Sequence, residues 1–161
     1  MEKLIEKIDE YNIFNFILPG IIFTYLLKNY VRINIFQENI IEKIFIYYFI
    51  GSIISRFGSI IMEKILRKCK FVKYASYEDY LKAIEKDKGI SKLITFNNMY
   101  RTFFSGCMLL IILKIAKELF KFWNVSMEIS YTILIISIMI LYMLSYRKHT
   151  KYLKNRIEIN K

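Results

Sequence analysis

The chain is poor in the residues that usually organise a small soluble enzyme: 161 residues include two cysteines, one histidine, one proline and five glycines. Cys69 and Cys107 stand far apart with no second pair, so neither a disulfide framework nor a zinc cluster follows from them. The lone histidine, His149, sits among Arg147, Lys148 and Lys151 in a basic tail, away from any apolar run where it could pair with a carboxylate for proton transfer. The glycines build no phosphate-cradling loop or nucleophile elbow, HExxH does not occur, and "EKDKGISK" lacks the spacing of a calcium loop. These absences predict no enzyme, no metal and no cofactor.

Apolar residues are abundant. They make up 55% of the chain, and Lys+Arg outnumber Asp+Glu by 25 to 14. Apolar excess with a positive balance points to a membrane, and the length fits a single structural unit. Ile, Lys and Asn are frequent throughout, so the arrangement carries the weight, and it gives four apolar segments.

The first, about residues 11–30, begins "YNIFNFILPGIIFTYLL", which has no charge and is long enough to cross a bilayer. Glu2, Glu6, Asp9 and Glu10 precede it, the opposite of the basic start of a cleaved signal, so it is expected to be retained. Pro19 either kinks this helix or marks its first turn after a short amphipathic helix carrying Leu4, Ile5, Ile8 and Tyr11. The second segment, 44–62, is uncharged except for Arg56. The third, 102–123, opens with "TFFSGCMLLIIL" but then meets Lys114, Lys117, Glu118 and Lys121, which would have to snorkel, pair or line a wet path. The fourth, 129–146, is charge-free. A soluble helical core is the alternative, but it would have to hide four such runs, with only residues 63–101 to cover them.

The fold expected is therefore all-α, an integral membrane protein of about four transmembrane helices. A short cytoplasmic helical hairpin, 63–101, joins the second and third, and a basic tail follows at 147–161. With the amino terminus inside, residues 1–10, 63–101 and 147–161 hold 2, 10 and 6 basic residues. The outer loops hold only Lys28, Arg32 and Lys43, so the positive-inside rule places both termini in the cytoplasm.

Within the hairpin, Ser76 with Asp79 three residues later is a helix-start signal, followed by an apolar stripe of Tyr77, Tyr80, Leu81 and Ile84. Gly89 fits a helix stop and Ser91 a cap for the next helix. Lys64, Arg67, Lys68, Lys70 and Lys73 follow the second span directly, where anionic headgroups attract them. The sharper alternative is a nucleotide or nucleic acid stacked on Tyr74, Tyr77, Tyr80 and Tyr100.

In "IGSIISRFGSII", Gly51, Ser55 and Ser59 share one helix face, a small-xxx-small pattern that invites close packing or self-association. Ser52, Arg56, Ser59 and Glu63 trace an adjoining polar stripe. An arginine at that depth costs at least ~2.5 kcal/mol without a partner, so Arg56 is expected to face neighbouring helices.

The stretches "YNIFNFILPGIIF", "ISRFGSIIMEKIL", "YEDYLKA" and "NNMYRT" resemble a group of small bacterial multi-pass membrane proteins, over residues 11–102. The resemblance implies an integral fold in the bacterial inner membrane and brings no established activity. Some small bacterial membrane proteins of this build disrupt membranes in anti-phage defence, an analogy of architecture. Two functions follow. One is an oligomeric pore or effector of a defence or stress system, lined around Arg56. The other is a non-conducting scaffold or accessory subunit that docks a cytoplasmic protein through residues 63–101. A carrier ranks third, since no inverted repeat is visible.

Overall fold

The computed structural model describes residues 10–35 and 38–159. Leu4, Ile5, Ile8, Glu2, Glu6 and Asp9 lie outside the described residues, as does the side chain of Glu10. The described chain is all-α, without strands. Helix α1 is Ile13–Val31, preceded by the turn Glu10–Asn12, and α2 is Ile40–Lys68. A shorter α3, Tyr77–Lys86, leads to two long helices, α4, Gly89–Phe122, and α5, Met127–Ile159. Three of these, α1, α2 and α5, are long and apolar enough to cross a membrane. The third of the four crossings expected, 102–123, is not among them; it falls on α4, whose longest charge-free stretch runs only from 102 to 113, between Arg101 and Lys114.

Local chemistry accounts for the helix ends. Pro19 sits in the first turn of the α-helical stretch Leu18–Leu26, straight after a π-helical turn at Ile13–Ile17, and α1 runs on through it. Inside this continuous helix the ring removes one intrahelical hydrogen bond, and the π-helical irregularity falls in the turn just before it. Arg32, at φ 61°, closes α1 in a left-handed conformation. Asn39 opens α2, its Oδ1 accepting from the Ile41 amide at 2.9 Å. Ser76 caps α3 as its spacing predicts, accepting from the Asp79 amide at 3.1 Å and donating to the Asp79 carboxylate at 2.7 Å. The next boundary differs from expectation: α3 ends at Lys86, and Gly89 starts α4 instead of stopping α3. Asp87 does the work assigned to Ser91, its Oδ1 accepting from the Gly89 amide at 2.7 Å, because an Asp side chain readily folds onto the amide two residues on.

Two glycines fix the first packing contact. A Cβ on Gly20 would collide with the Tyr47 carbonyl, and one on Gly51 with the Phe16 carbonyl. These reciprocal contacts, one turn apart on each helix, make α1 and α2 antiparallel with backbone against backbone. Phe23, Leu27 and Val31 of α1, Ile54 of α2 and Leu110 of α4 form the buried apolar core. α4 runs in the direction of α1: Phe14 lies 6.5 Å from Phe96 near one end, and Lys117 reaches the Val31 carbonyl at the other. α5 runs in the direction of α2, with Ser52 opposite Tyr142 and Ser59 opposite Lys148. The start of α1, the close of α2, the start of α4 and the far part of α5 therefore share one end of the bundle.

α5 is the least enclosed of the three apolar spans. Only 6% of its most apolar window is buried, and Ile135, Met139 and Met143 are each more than 60% exposed. In water that surface would be a large apolar patch; against lipid tails it needs no cover.

Candidate functional site

The polar residues of α2, α4 and α5 converge at the shared end of the bundle. Glu63, nine-tenths buried, accepts through a single oxygen from Arg101 Nη1 and from Lys148 Nζ, each at 3.1 Å. Lys148 also donates to the Ser59 carbonyl and the Ser59 hydroxyl, both at 2.9 Å. One helix contributes the carboxylate and two others the cations, so the node ties three helices together. Ser59 lies in a π-helical turn, Gly58–Met62, which leads straight into Glu63. Further along the same seam, Ser52 and the Tyr142 hydroxyl share a hydrogen bond of 2.9 Å.

Aromatic contacts extend the node towards α3. The Lys148 ammonium stands 5.7 Å from the Tyr152 ring, Tyr152 lies 5.5 Å from Tyr77, and Tyr77 lies 6.0 Å from Tyr80. Of the apolar stripe on α3, Tyr77 is thus placed against α5. Arg67 covers the Tyr74 ring at 5.5 Å. A cavity of about 620 Å³ opens between the start of α3 and the end of α5, lined by Ser76, Tyr77, Glu78, Asn155, Glu158 and Ile159.

The residues singled out in the sequence fall into separate places. Ser52, Ser59 and Glu63 join the node or its seam. Arg56, half-buried on the same stripe, makes no hydrogen bond or ion pair among the described residues; the contacts expected of it are made by Glu63. Gly51 and Ser55 are buried, Gly51 against α1 of the same chain, so the small-residue face is occupied within the molecule. Lys64, Arg67, Lys68, Lys70 and Lys73 are exposed beside the node. The lysines of α4 lie at the opposite end: Lys117 donates to the Val31 and Arg32 carbonyls at 2.9 and 3.2 Å, and Lys114 pairs with Glu118 at 3.3 Å. Lys121 is exposed there. Lys117 is therefore a cap on α1, where a cation favours the helix's negative end.

Sequence reasoning missed Arg101, Lys148, Tyr142 and Tyr152. The two cations had a signal: Glu63 is the first charge after the second apolar run, Arg101 the last before the third, and Lys148 lies two residues beyond the fourth. Charges that bound runs meeting at one end arrive at one level. Among the described residues no group of three or more His, Cys, Asp or Glu converges as a metal site would require. The node's chemistry is that of ion pairing and anion attraction. No family model, curated protein or solved structure matches the chain.

Proposed function

We propose that the chain is a bacterial inner-membrane protein that crosses four times with both termini in the cytoplasm, and that it acts as a non-conducting scaffold or accessory subunit. In this reading α4 is the third crossing, residues 63–101 form the cytoplasmic hairpin, and α3 with its flanks presents the surface for a cytoplasmic protein. The observation that carries it is that three of the four residues of the α2 polar stripe, Ser52, Ser59 and Glu63, bond within the chain. Ser52 bonds to Tyr142, Ser59 and Glu63 bond to Lys148, and Gly51 packs on the α1 backbone, so these positions of α2 serve the chain's own helices, and Arg56 alone of the stripe does not. Between α1 and α4 the cavity is about 20 Å³ and apolar-lined, too small for an ion path.

A second reading, the oligomeric pore or effector, draws support from α5, whose unburied apolar face is available to another copy. One pair of measurements separates the two. Reconstituted in liposomes, a scaffold leaves a pH or potassium gradient intact, and it copurifies a cytoplasmic protein that is lost when Tyr77, Tyr80 and Leu81 become serine. Rapid leak that Arg56→Leu abolishes would select the pore instead.

A further inference from the structure

The end of the bundle away from the node carries an apolar turn. Helix α4 closes and α5 opens across residues 123–126, where Phe122, Trp123 and Met127 are 79%, 66% and 66% exposed. The backbone of the turn is nevertheless provided for. The Asn124 amide donates to the Lys121 carbonyl at 3.2 Å and the Val125 amide to the Phe120 carbonyl at 2.9 Å, with Asn124 left-handed at φ 50°. These crossed bonds form a Schellman closure, and they take up carbonyls that a helix end otherwise leaves to water. On the α5 side the Ser126 hydroxyl accepts from the Ile129 amide at 3.3 Å.

The charges that interrupt α4 are answered within the chain as well. Lys117 is held by the α1 carbonyls and Lys114 by Glu118, which leaves Lys121, exposed beside Phe122. Tyr30, next to the Val31 carbonyl that Lys117 holds, and Tyr131 on α5 are also more than half exposed at this end of the bundle. Tryptophan, tyrosine and lysine together are the composition of an interface between membrane and water. Through Ile129 and Ile133 the apolar turn is continuous with the open face of α5, so one medium covers both. Length agrees. At about 1.5 Å per residue, 102–113 rises only about 18 Å, whereas 102–123 rises about 33 Å, enough for the hydrocarbon core.

We propose that the α4–α5 turn is an interfacial anchor in the leaflet opposite the node: Phe122, Trp123 and Met127 lie among the lipid ester groups and upper acyl chains, and Lys121 extends to the headgroup phosphates. The anchor sets the depth of α4 and α5, and it carries the third crossing past the lysines to Trp123. It rests on the membrane reading and goes beyond it, since four crossings alone would allow this turn to stand in water.

Trp123 is the chain's only tryptophan, so the intrinsic fluorescence of the wild-type protein reports this turn alone. In vesicles of phosphatidylcholine and phosphatidylglycerol, lipids brominated high on the acyl chain should quench it at least about twice as strongly as lipids brominated near the chain end, the order expected of an interfacial ring. Aqueous acrylamide should quench it less than it quenches N-acetyltryptophanamide. Strong quenching by acrylamide with none by brominated lipid places the turn in water and overturns the proposal. Stronger quenching by the deep bromines places it in the hydrocarbon core, and protection from both quenchers places it against a second copy or another protein; either result overturns it too. Maleimide labelling of Cys107 in the same vesicles keeps two failures apart. A protected Cys107 with Trp123 in water defeats the anchor alone, whereas a labelled Cys107 defeats the third crossing itself.

Discussion

The Glu63 carboxylate and the Lys148 ammonium lie 3.1 Å apart across 85 residues of sequence, and the same carboxylate oxygen also takes Arg101. Removing it strands two partly buried cations. Glu63→Ala should therefore destabilise the protein by about 3 kcal/mol, the scale for breaking a buried pair from one side. Thermal unfolding in detergent measures the loss. Pairing it with Lys148→Ala should cost less than the sum of the single variants, because the double variant leaves one cation fewer unpaired.

Gly51 admits no side chain where α1 crosses α2. Gly51→Val should push the Phe16 backbone away at a cost of about 1–3 kcal/mol, as overpacking does elsewhere. Gly20→Val, at the reciprocal contact with Tyr47, should cost a similar amount, and the two together less than the sum of the single variants. Unchanged melting temperatures in both single variants would show that the two backbones do not meet there.

Lys117 holds the last carbonyls of α1 through two hydrogen bonds. Lys117→Met keeps the length of the side chain and removes the donor. It should lower stability by about 1 kcal/mol, within the range for a cation at a helix carboxyl end. Amide exchange of the final α1 turn should speed up while that of α5 stays unchanged.

The two cysteines report the membrane directly. Both are exposed, Cys69 where α2 ends and Cys107 on the apolar part of α4. In intact membrane vesicles a bulky, water-soluble maleimide should modify Cys69 from the cytoplasmic side and leave Cys107 untouched until detergent unfolds the protein. Equal labelling of both in vesicles would place α4 in water and remove the third crossing.

The long helices were legible in the sequence because an uncharged run of spanning length admits few other structures. The cap at Ser76 was legible too, since the hydroxyl and the carboxylate that use it lie three residues apart. Gly89 was not: a glycine after a helix and a glycine at the start of one look alike until Asp87 is seen to turn onto its amide. The polar stripe of α2 was visible as a face, but its partners were not, because Arg101 and Lys148 become neighbours of Glu63 only when α4 and α5 take their directions against α2. Arg56 drew attention as the charge deepest in an apolar run. Glu63 attracted less as a boundary residue, yet it is the one that gathers the others.

α5 meets the rest of the molecule through a few directional bonds rather than a broad greasy seam. Tyr142 meets Ser52, and Lys148, not quite two turns on, meets Ser59 and Glu63, with Ser145 buried between them. A contact made by apolar burial tolerates sliding; one made by matched donors and acceptors does not. Sinking by one residue, or rotating by a third of a turn, would break these bonds together. The last helix is thus keyed in depth and angle like a peg held by two notches, even though most of its surface touches nothing but its solvent.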